Sequence, residues 1–233
     1  MRNRFVPLLA VLAGLLLLTG PRTGLAAPSA APGAGQAVRL PGPDTTGKVT
    51  LERAIATRRS VREYAPGPLG LAEVSQLLWA AQGITGPGGK RATPSARAVY
   101  PLQVWLAANE VTDLPPGIYR YEPQGHALTL IAAGSPRDSL SAAARGQASI
   151  QRAAAVVTVL GDRRLAAERF GANAERWLGM EAGFVVQDVY LECTALGLGT
   201  VMIGGFDPTA ARRALGAAAD WEVLGLMPVG RRK

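Results

Sequence analysis

The stretch 174–196 constrains the fold more than any other part of the chain. It carries Trp177, Met180, Phe184, Val185, Val189, Leu191 and Cys193 at helical spacing, but on more than one face. A surface helix hides one apolar stripe and turns a polar face to water. A helix that is apolar nearly all round needs neighbours on every side, so this one belongs at the centre of a domain or of an assembly.

The remaining elements are shorter and arranged around it. Thr50 caps a helix that starts at Leu51 and has Leu51 and Ile55 four apart. Pro66 and Pro68 then interrupt regular structure. A second helix spans residues 71–81, with Val74, Leu77, Leu78 and Ala81 on one stripe. Residues 102–108 alternate as a strand. Residues 117–122 and 127–131 flank a Pro-Gln-Gly-His turn, the signal of a hairpin. Short helices are expected over 136–145 and near Ile150. The apolar run 154–160 reads as a strand covered on both faces. A strand within 199–206, a helix over 208–215 and a strand over 221–229 complete the chain. There is no internal repeat, and helices and strands are interspersed, which gives an α+β or α/β class.

Arg2 and Arg4 precede an apolar run over 5–18, followed by a Gly/Pro break and the small residues Gly24-Leu25-Ala26-Ala27. This is the order of a secretory signal peptide. The run is short of the ~20 residues that a spanning helix needs, and an uncleaved anchor is the alternative. No Cys follows it and no Arg-Arg pair precedes it, so lipoprotein and twin-arginine signals are not supported. Residues 1–26 are therefore expected to be removed, by cleavage after Ala26 or Ala27, and the product exported to the periplasm or cell envelope. Residues 27–47 are rich in Pro, Gly, Ala and Thr and read as a flexible linker. Residues 48–233 are long enough for one domain with a sizeable core.

The formal charge is +8; removing the three arginines Arg2, Arg4 and Arg22 lowers it to +5. That excess suits an anionic ligand, but the long basic stripe with interleaved aromatics of a nucleic-acid binder is missing. Cys193 is the only cysteine, so no intrachain disulfide can form. Its apolar helical setting reads as that of a buried, inert thiol. His126 is the only histidine and stands in a turn without a carboxylate–serine pattern. One His and one Cys leave no ordinary zinc site and argue against Ser-His-Asp or Cys-His catalysis.

The chemistry must come from elsewhere. Arg58-Arg59-Ser60-Val61-Arg62-Glu63-Tyr64 puts three guanidinium groups and a hydroxyl into five residues, directly after the first helix. In water such a cluster repels itself. Facing an anion it becomes a set of charge-assisted donors suited to phosphate oxygens; a solvated basic turn is the alternative. Gly86-Pro87-Gly88-Gly89-Lys90 is not a phosphate loop, because Ile84 stands where the first glycine is required and Arg91 where Ser or Thr is. It reads as a mobile loop over a pocket or as a connector. Gly197-Leu198-Gly199 lacks a third glycine and opens a strand, and a helix-ending glycine accounts for it. The small residues of Pro94-Ser95-Ala96 would let backbone amides approach a flat ligand. The pair Gly204-Gly205 at a strand end would let a backbone N–H point at a ligand with no side chain in the way. Each of these two is equally compatible with an ordinary turn. Arg231-Arg232-Lys233 reads as a frayed basic tail.

Taken in order, the segments 58–64, 94–96, Tyr100-Pro101-Leu102, 116–121, 197–200, 202–207 and 228–230 resemble the FMN-dependent nitroreductase superfamily, and within it the SagB-type dehydrogenase branch. Ala98, where typical nitroreductases have Asn, and Gly204, where they often have Glu, point to that branch. The resemblance implies a central, mostly antiparallel sheet wrapped by helices, in an intertwined homodimer with FMN at the interface and the long helix as the dimer core. It also implies residue roles. Arg58 and Ser60 would hold the FMN phosphate and ribityl chain, with Arg59 adjacent. Arg62 would approach the pyrimidine edge and stabilise the negative charge of reduced flavin. Pro94, Ser95 and Ala96 would line the ring, and Gly204 and Gly205 would face its N5 region. Arg231 and Arg232 are candidates for the phosphate contacts that a longer tail supplies in the family.

An exported FMN-dependent oxidoreductase, passing hydride or two electrons between small molecules, is the leading expectation. It needs no side-chain acid or base, in keeping with the poverty of His and Cys. A dehydrogenase of peptide azoline heterocycles and a non-catalytic flavin-binding module of the envelope are the alternatives.

Overall fold

The computed structural model describes Met1 and residues 35–233. Apart from Met1, the signal-peptide reading of 1–26 lies outside these residues. The elements run β1 (Ala37–Arg39), α1 (Leu51–Thr57), β2 (Tyr64–Ala65), α2 (Leu71–Gln82), β3 (Ile84–Gly86), β4 (Lys90–Arg91), β5 (Leu102–Ala108), β6 (Gly117–Glu122), β7 (Ala127–Ala133), α3 (Arg137–Ala143), α4 (Ala148–Gln151), β8 (Ala155–Asp162), α5 (Arg163–Phe170), α6 (Ala174–Ala195), β9 (Leu198–Thr200), α7 (Pro208–Ala214) and β10 (Trp221–Arg232).

Eight strands form one sheet in the order β1-β7-β6-β5-β8-β10-β2, with β9 on the free edge of β10. Every strand pairing in it is antiparallel, so the fold is α+β. Alternation along the strands sends side chains to two cores. Val104, Leu106, Val157, Val159 and Met227 face α2 and α6, whereas Trp105, Ala107, Val156, Leu160 and Leu226 face α3, α4 and α7. The unbroken apolar run of β8 is thus the signature of a strand covered on both faces. Each fully buried Leu or Val in these layers contributes about 1.5–3 kcal/mol.

Besides the C-terminus, where Arg231 and Arg232 pair with Ala65 and Tyr64 of β2 instead of fraying, four local features differ from the sequence expectation. First, β1 falls inside the stretch read as a linker. It pairs with β7, Leu40 is buried behind it, and the Pro41 carbonyl accepts the Ser75 hydroxyl at 2.6 Å. His126 completes this fastening, with Nε2 2.9 Å from the Pro41 carbonyl and Nδ1 2.8 Å from the Tyr121 hydroxyl. Second, α5 was not expected, because half of its eight residues are charged. Its signal is Asp162, whose carboxylate accepts the Leu165 N–H at 2.8 Å as an N-cap. Third, the glycine-rich loop contains the short β3–β4 hairpin. Fourth, the apolar stripe of α1 points outward, leaving Leu51 and Ile55 exposed while Ala54 is buried.

α6 is the helix that the sequence places at the centre. Leu178, Ala182, Val185, Val189 and Cys193 are buried against the rest of the chain. Met180 and Phe184 remain 49% and 41% exposed, so within one chain the helix is covered on one side only.

Candidate functional site

Helix α1 is capped by Thr50, whose hydroxyl accepts the Arg53 N–H, and it delivers the chain to Arg58. The following segment lies across β9 and the end of β10. The Val61 N–H donates to the Thr200 carbonyl at 2.8 Å. Tyr64 is buried, and its hydroxyl reaches the Pro228 carbonyl at 3.0 Å. Burial raises the Tyr64 phenol above its ordinary range, helped by the nearby Cys193 and Tyr190. It therefore stays a neutral donor.

Tyr190, on α6, joins the cationic segment to the twin glycines. Its hydroxyl accepts the Met202 N–H at 2.7 Å and lies 3.2 Å from Ser60 Oγ. The Arg58 guanidinium stacks over its ring, 4.9 Å from the centroid. Among the described residues, neither Arg58 nor Arg62 has a carboxylate partner. Arg62 is exposed. Gly204 and Gly205 are exposed too, and neither N–H donates to a described residue. A Cβ on Gly205 would meet nothing within 4 Å, and one on Gly204 only the end of Met202 at 3.5 Å. Neither glycine has a positive φ. The chain's own packing therefore does not require glycine at these positions, whereas a closely approaching ligand would. An unpaired guanidinium and a hydroxyl beside one phenol, with the free N–H groups of Gly204 and Gly205 two and three residues beyond the Met202 that this phenol binds, suit an anionic ligand.

Two of the sequence candidates have other work. Arg59 turns back on α1 and donates to the carbonyls of Ala56 and Arg58, at 3.2 and 2.7 Å. It thereby satisfies orphan carbonyls at the helix end. Arg231 makes a bidentate pair with Glu73, at 2.6 and 2.7 Å, and also donates to the Pro68 carbonyl. Its guanidinium is committed to α2 and is not among the groups gathered at Tyr190.

Pro94, Ser95 and Ala96 line a second region, a largely apolar cavity of about 380 Å³ with Trp177, Met180, Glu181 and Phe184. Ser95 and Ala96 both hydrogen-bond to Glu181, a residue that sequence reasoning missed. Its only signal was a carboxylate in the middle of an otherwise apolar stretch. Glu181 and Tyr190 are nine positions apart on α6, about two and a half turns, so they leave the helix on opposite sides. The structure therefore gathers the candidates into two groups, one on each flank of α6, with exposed Met180 and Phe184 between them.

Cys193 is buried, and burial raises its thiol well above the ordinary range. Among the described residues no cluster of His, Cys, Asp or Glu could hold a metal ion, and no helix is long and apolar enough to cross a membrane.

The nitroreductase family model matches residues 55–231. A provisionally named nitroreductase of Methanocaldococcus jannaschii is 37% identical over 185 residues, covering 79% of this chain and 92% of the relative. The crystal structure of a provisionally named nitroreductase from Ralstonia eutropha superposes with a TM-score of 0.76 at 29% identity, covering 92% of this chain and 98% of the other. The NADPH:FMN oxidoreductase of Vibrio harveyi, complexed with NAD+, is similar in fold, with a TM-score of 0.57 at 18% identity, covering 78% of this chain and 69% of that one.

Proposed function

Because the chain belongs to the nitroreductase family of oxidoreductases, we propose that it binds FMN and carries hydride or electron pairs from a small-molecule donor to a small organic acceptor. The observation that supports this reading is the Tyr190 junction, which ties Arg58 and Ser60 to the Met202 N–H, two residues before the free N–H of Gly204. FMN, when bound, supplies the two-electron chemistry at its N5. The protein binds and orients it. Arg58 and Ser60 take the phosphate and ribityl chain. Arg62 brings a positive charge to the ring edge, where it favours the added electrons. Gly204 offers a backbone donor toward N5. No titrating side chain is assigned to the chemical step.

The working unit in this reading is a homodimer. Pro94–Ala96 and Arg58–Ser60 flank opposite sides of α6, so a second copy docked on the exposed face of α6 would bring its own Pro94–Ala96 wall toward the first copy's Tyr190. The exposed Leu51, Ile55, Met180 and Phe184 support such docking. Ala98 and Gly204 favour the SagB-type branch as the finer placement. The order of residues 1–26 favours export, which would make a donor other than NADH or NADPH the physiological one.

The test is the absorbance spectrum of the purified mature chain after incubation with FMN, followed by stopped-flow reduction with NADH, NADPH and non-nicotinamide donors. A flavin spectrum that bleaches with a donor and returns with a quinone or nitroaromatic is expected. A chain that stays colourless in the presence of FMN would overturn the reading.

A further inference from the structure

We propose that Glu181 is a positioning residue, whose buried carboxylate sets the shape of the Pro94–Ala96 wall. The inference rests on the flavin reading only for what that wall faces. Glu181 is 4% exposed and sits between Met180 and Ala182, where an apolar side chain would pack without the desolvation cost of a carboxylate. Burial raises its pKa, and the bonds from Ala96 and Ser95 oppose that rise. Its hydrogen-bond partners are all in one loop. Oε1 accepts the Ala96 N–H at 2.8 Å and the Ser95 hydroxyl at 3.1 Å, and Ser95 Oγ in turn accepts the Tyr100 N–H at 2.8 Å. A single carboxylate oxygen thus organises both ends of the turn from Ser95 to Tyr100.

That turn does not hold its shape by preference. Arg97, Ala98 and Tyr100 have φ of 54°, 53° and 53°, a left-handed region that residues with side chains seldom occupy. Such backbone persists only where the surroundings over-determine it; the turn has two backbone bonds of its own, Ala98 N–H to the Ser95 carbonyl and Val99 N–H to the Ala96 carbonyl, and the Glu181 bonds fasten its start to α6. The result is specific. The small residues Ser95 and Ala96 face the cavity, and the Arg97 guanidinium is carried over Trp177 and Phe170, at 5.5 and 5.9 Å from their ring centroids. The wall and the charge beside it are both set from α6.

Hydrogen exchange of the FMN-free mature chain reads the clamp directly, in wild type, Glu181→Ala, Glu181→Gln and Ser95→Ala. In Glu181→Ala the Ala96 and Tyr100 amides should exchange about tenfold faster or more, while β5 amides keep their protection. Glu181→Gln keeps an oxygen that can accept the same two bonds and should restore protection. FMN titration should follow the same order, with Kd raised about tenfold or more in Glu181→Ala and within about threefold of wild type in Glu181→Gln. Unchanged exchange in Glu181→Ala, or Glu181→Gln behaving like Glu181→Ala in both measurements, would overturn the proposal. Should Glu181→Ala not fold, Ser95→Ala decides through the Ala96 amide, whose bond to Glu181 does not involve the Ser95 hydroxyl: Ala96 protection kept while Tyr100 protection is lost supports the clamp, and loss of Ala96 protection refutes it. A wild-type chain that takes up no FMN would sink the flavin reading, and the exchange result would still decide the clamp.

Discussion

Gly230 stands directly opposite Gly199 across the β9–β10 pairing, and both lie under the segment that carries the arginines. A Cβ on Gly230 would fall 2.6 Å from Tyr64 Cγ, and one on Gly199 would fall 2.7 Å from Val61 Cγ1. Neither glycine has a positive φ, so what they provide is space. Val61 and Tyr64 press onto bare backbone, and Arg58 and Ser60 are held against the strand that leads to Gly204.

Gly230→Ala should therefore damage the fold and the site together. The clash is with the root of the Tyr64 ring, which cannot swing away as a chain end would. Overpacking of this kind costs about 1–3 kcal/mol, visible as a lower midpoint in urea and as weaker FMN retention. Gly205→Ala is the contrast, since its Cβ would meet nothing within 4 Å. Its stability should stay within about 0.5 kcal/mol of wild type, while FMN affinity falls. Equal stability losses in the two variants would contradict the packing argument.

Tyr190→Phe removes a single oxygen. The Met202 N–H loses its acceptor and Ser60 loses its neighbour, whereas the aromatic face under Arg58 remains. A cost of about 1–3 kcal/mol in unfolding free energy is expected for the stranded donor. FMN should bind more weakly because both halves of the junction are loosened. Unaltered stability with unaltered FMN affinity would show that the shared hydroxyl joins nothing of consequence.

Arg58 and Arg62 should separate by readout. Arg58→Ala should loosen FMN by about 1.5–3 kcal/mol, the range for one hydrogen bond to a charged group, seen as a higher Kd in fluorescence titration. Arg62→Ala should spare affinity but lower the midpoint potential of bound FMN by about 30 mV or more, a tenfold change for two electrons. Equal losses of affinity with no change of potential would contradict both assignments.

Asp188 gives a pH signature. Burial raises its pKa from 3.8 to about 6, with no hydrogen-bond partner among the described residues to oppose it. Between those values the folded chain holds more of this proton than the unfolded chain, so stability falls as pH rises from about 4 to about 6 and stays lower above that. Asp188→Asn should abolish that fall. It should raise the melting temperature at pH 7–8 and leave it nearly unchanged at pH 4. The gain is on the order of 1 kcal/mol, because the carboxylate is half exposed and solvent screens it. A variant with the same pH slope as wild type would sink this account.

Most of the architecture was legible because periodicity survives burial. The stripes of α2, the alternation of β5 and the apolar run of β8 each map onto the core they line. Legibility failed where the tertiary setting, rather than the local pattern, fixes the structure. The strand β1 exists because β7 offers it an edge, and the role of Gly199 depends on Val61, a residue far away in sequence. At the site, the sequence offers Arg58, Ser60, Gly204 and Gly205 as donors for a ligand, and in the structure Arg58 has no carboxylate partner and the two glycine N–H groups donate to no described residue. The bonds that Arg59 and Arg231 make within the chain were not legible, because an arginine's partner is chosen by geometry. Glu181 and Tyr190 were hidden inside a helix whose apolar residues drew attention to packing.

The exposed side of α6 yields the last prediction. Met180 and Phe184 leave large apolar surface in water on the one element that the sequence would bury on every side. The two halves of the site flank that same side, so a second copy seated there would account for the exposure and for the divided site at once. Phe184→Glu puts a charge at the middle of the contact, where it would be buried without a partner. In light scattering the wild type should run at twice the chain mass and Phe184→Glu at the mass of one chain. Circular dichroism should be unchanged, because Phe184 lies outside the single-chain core. FMN affinity should fall with the dimer. A wild type that is monomeric at micromolar concentration and still retains FMN would refute the divided-site arrangement.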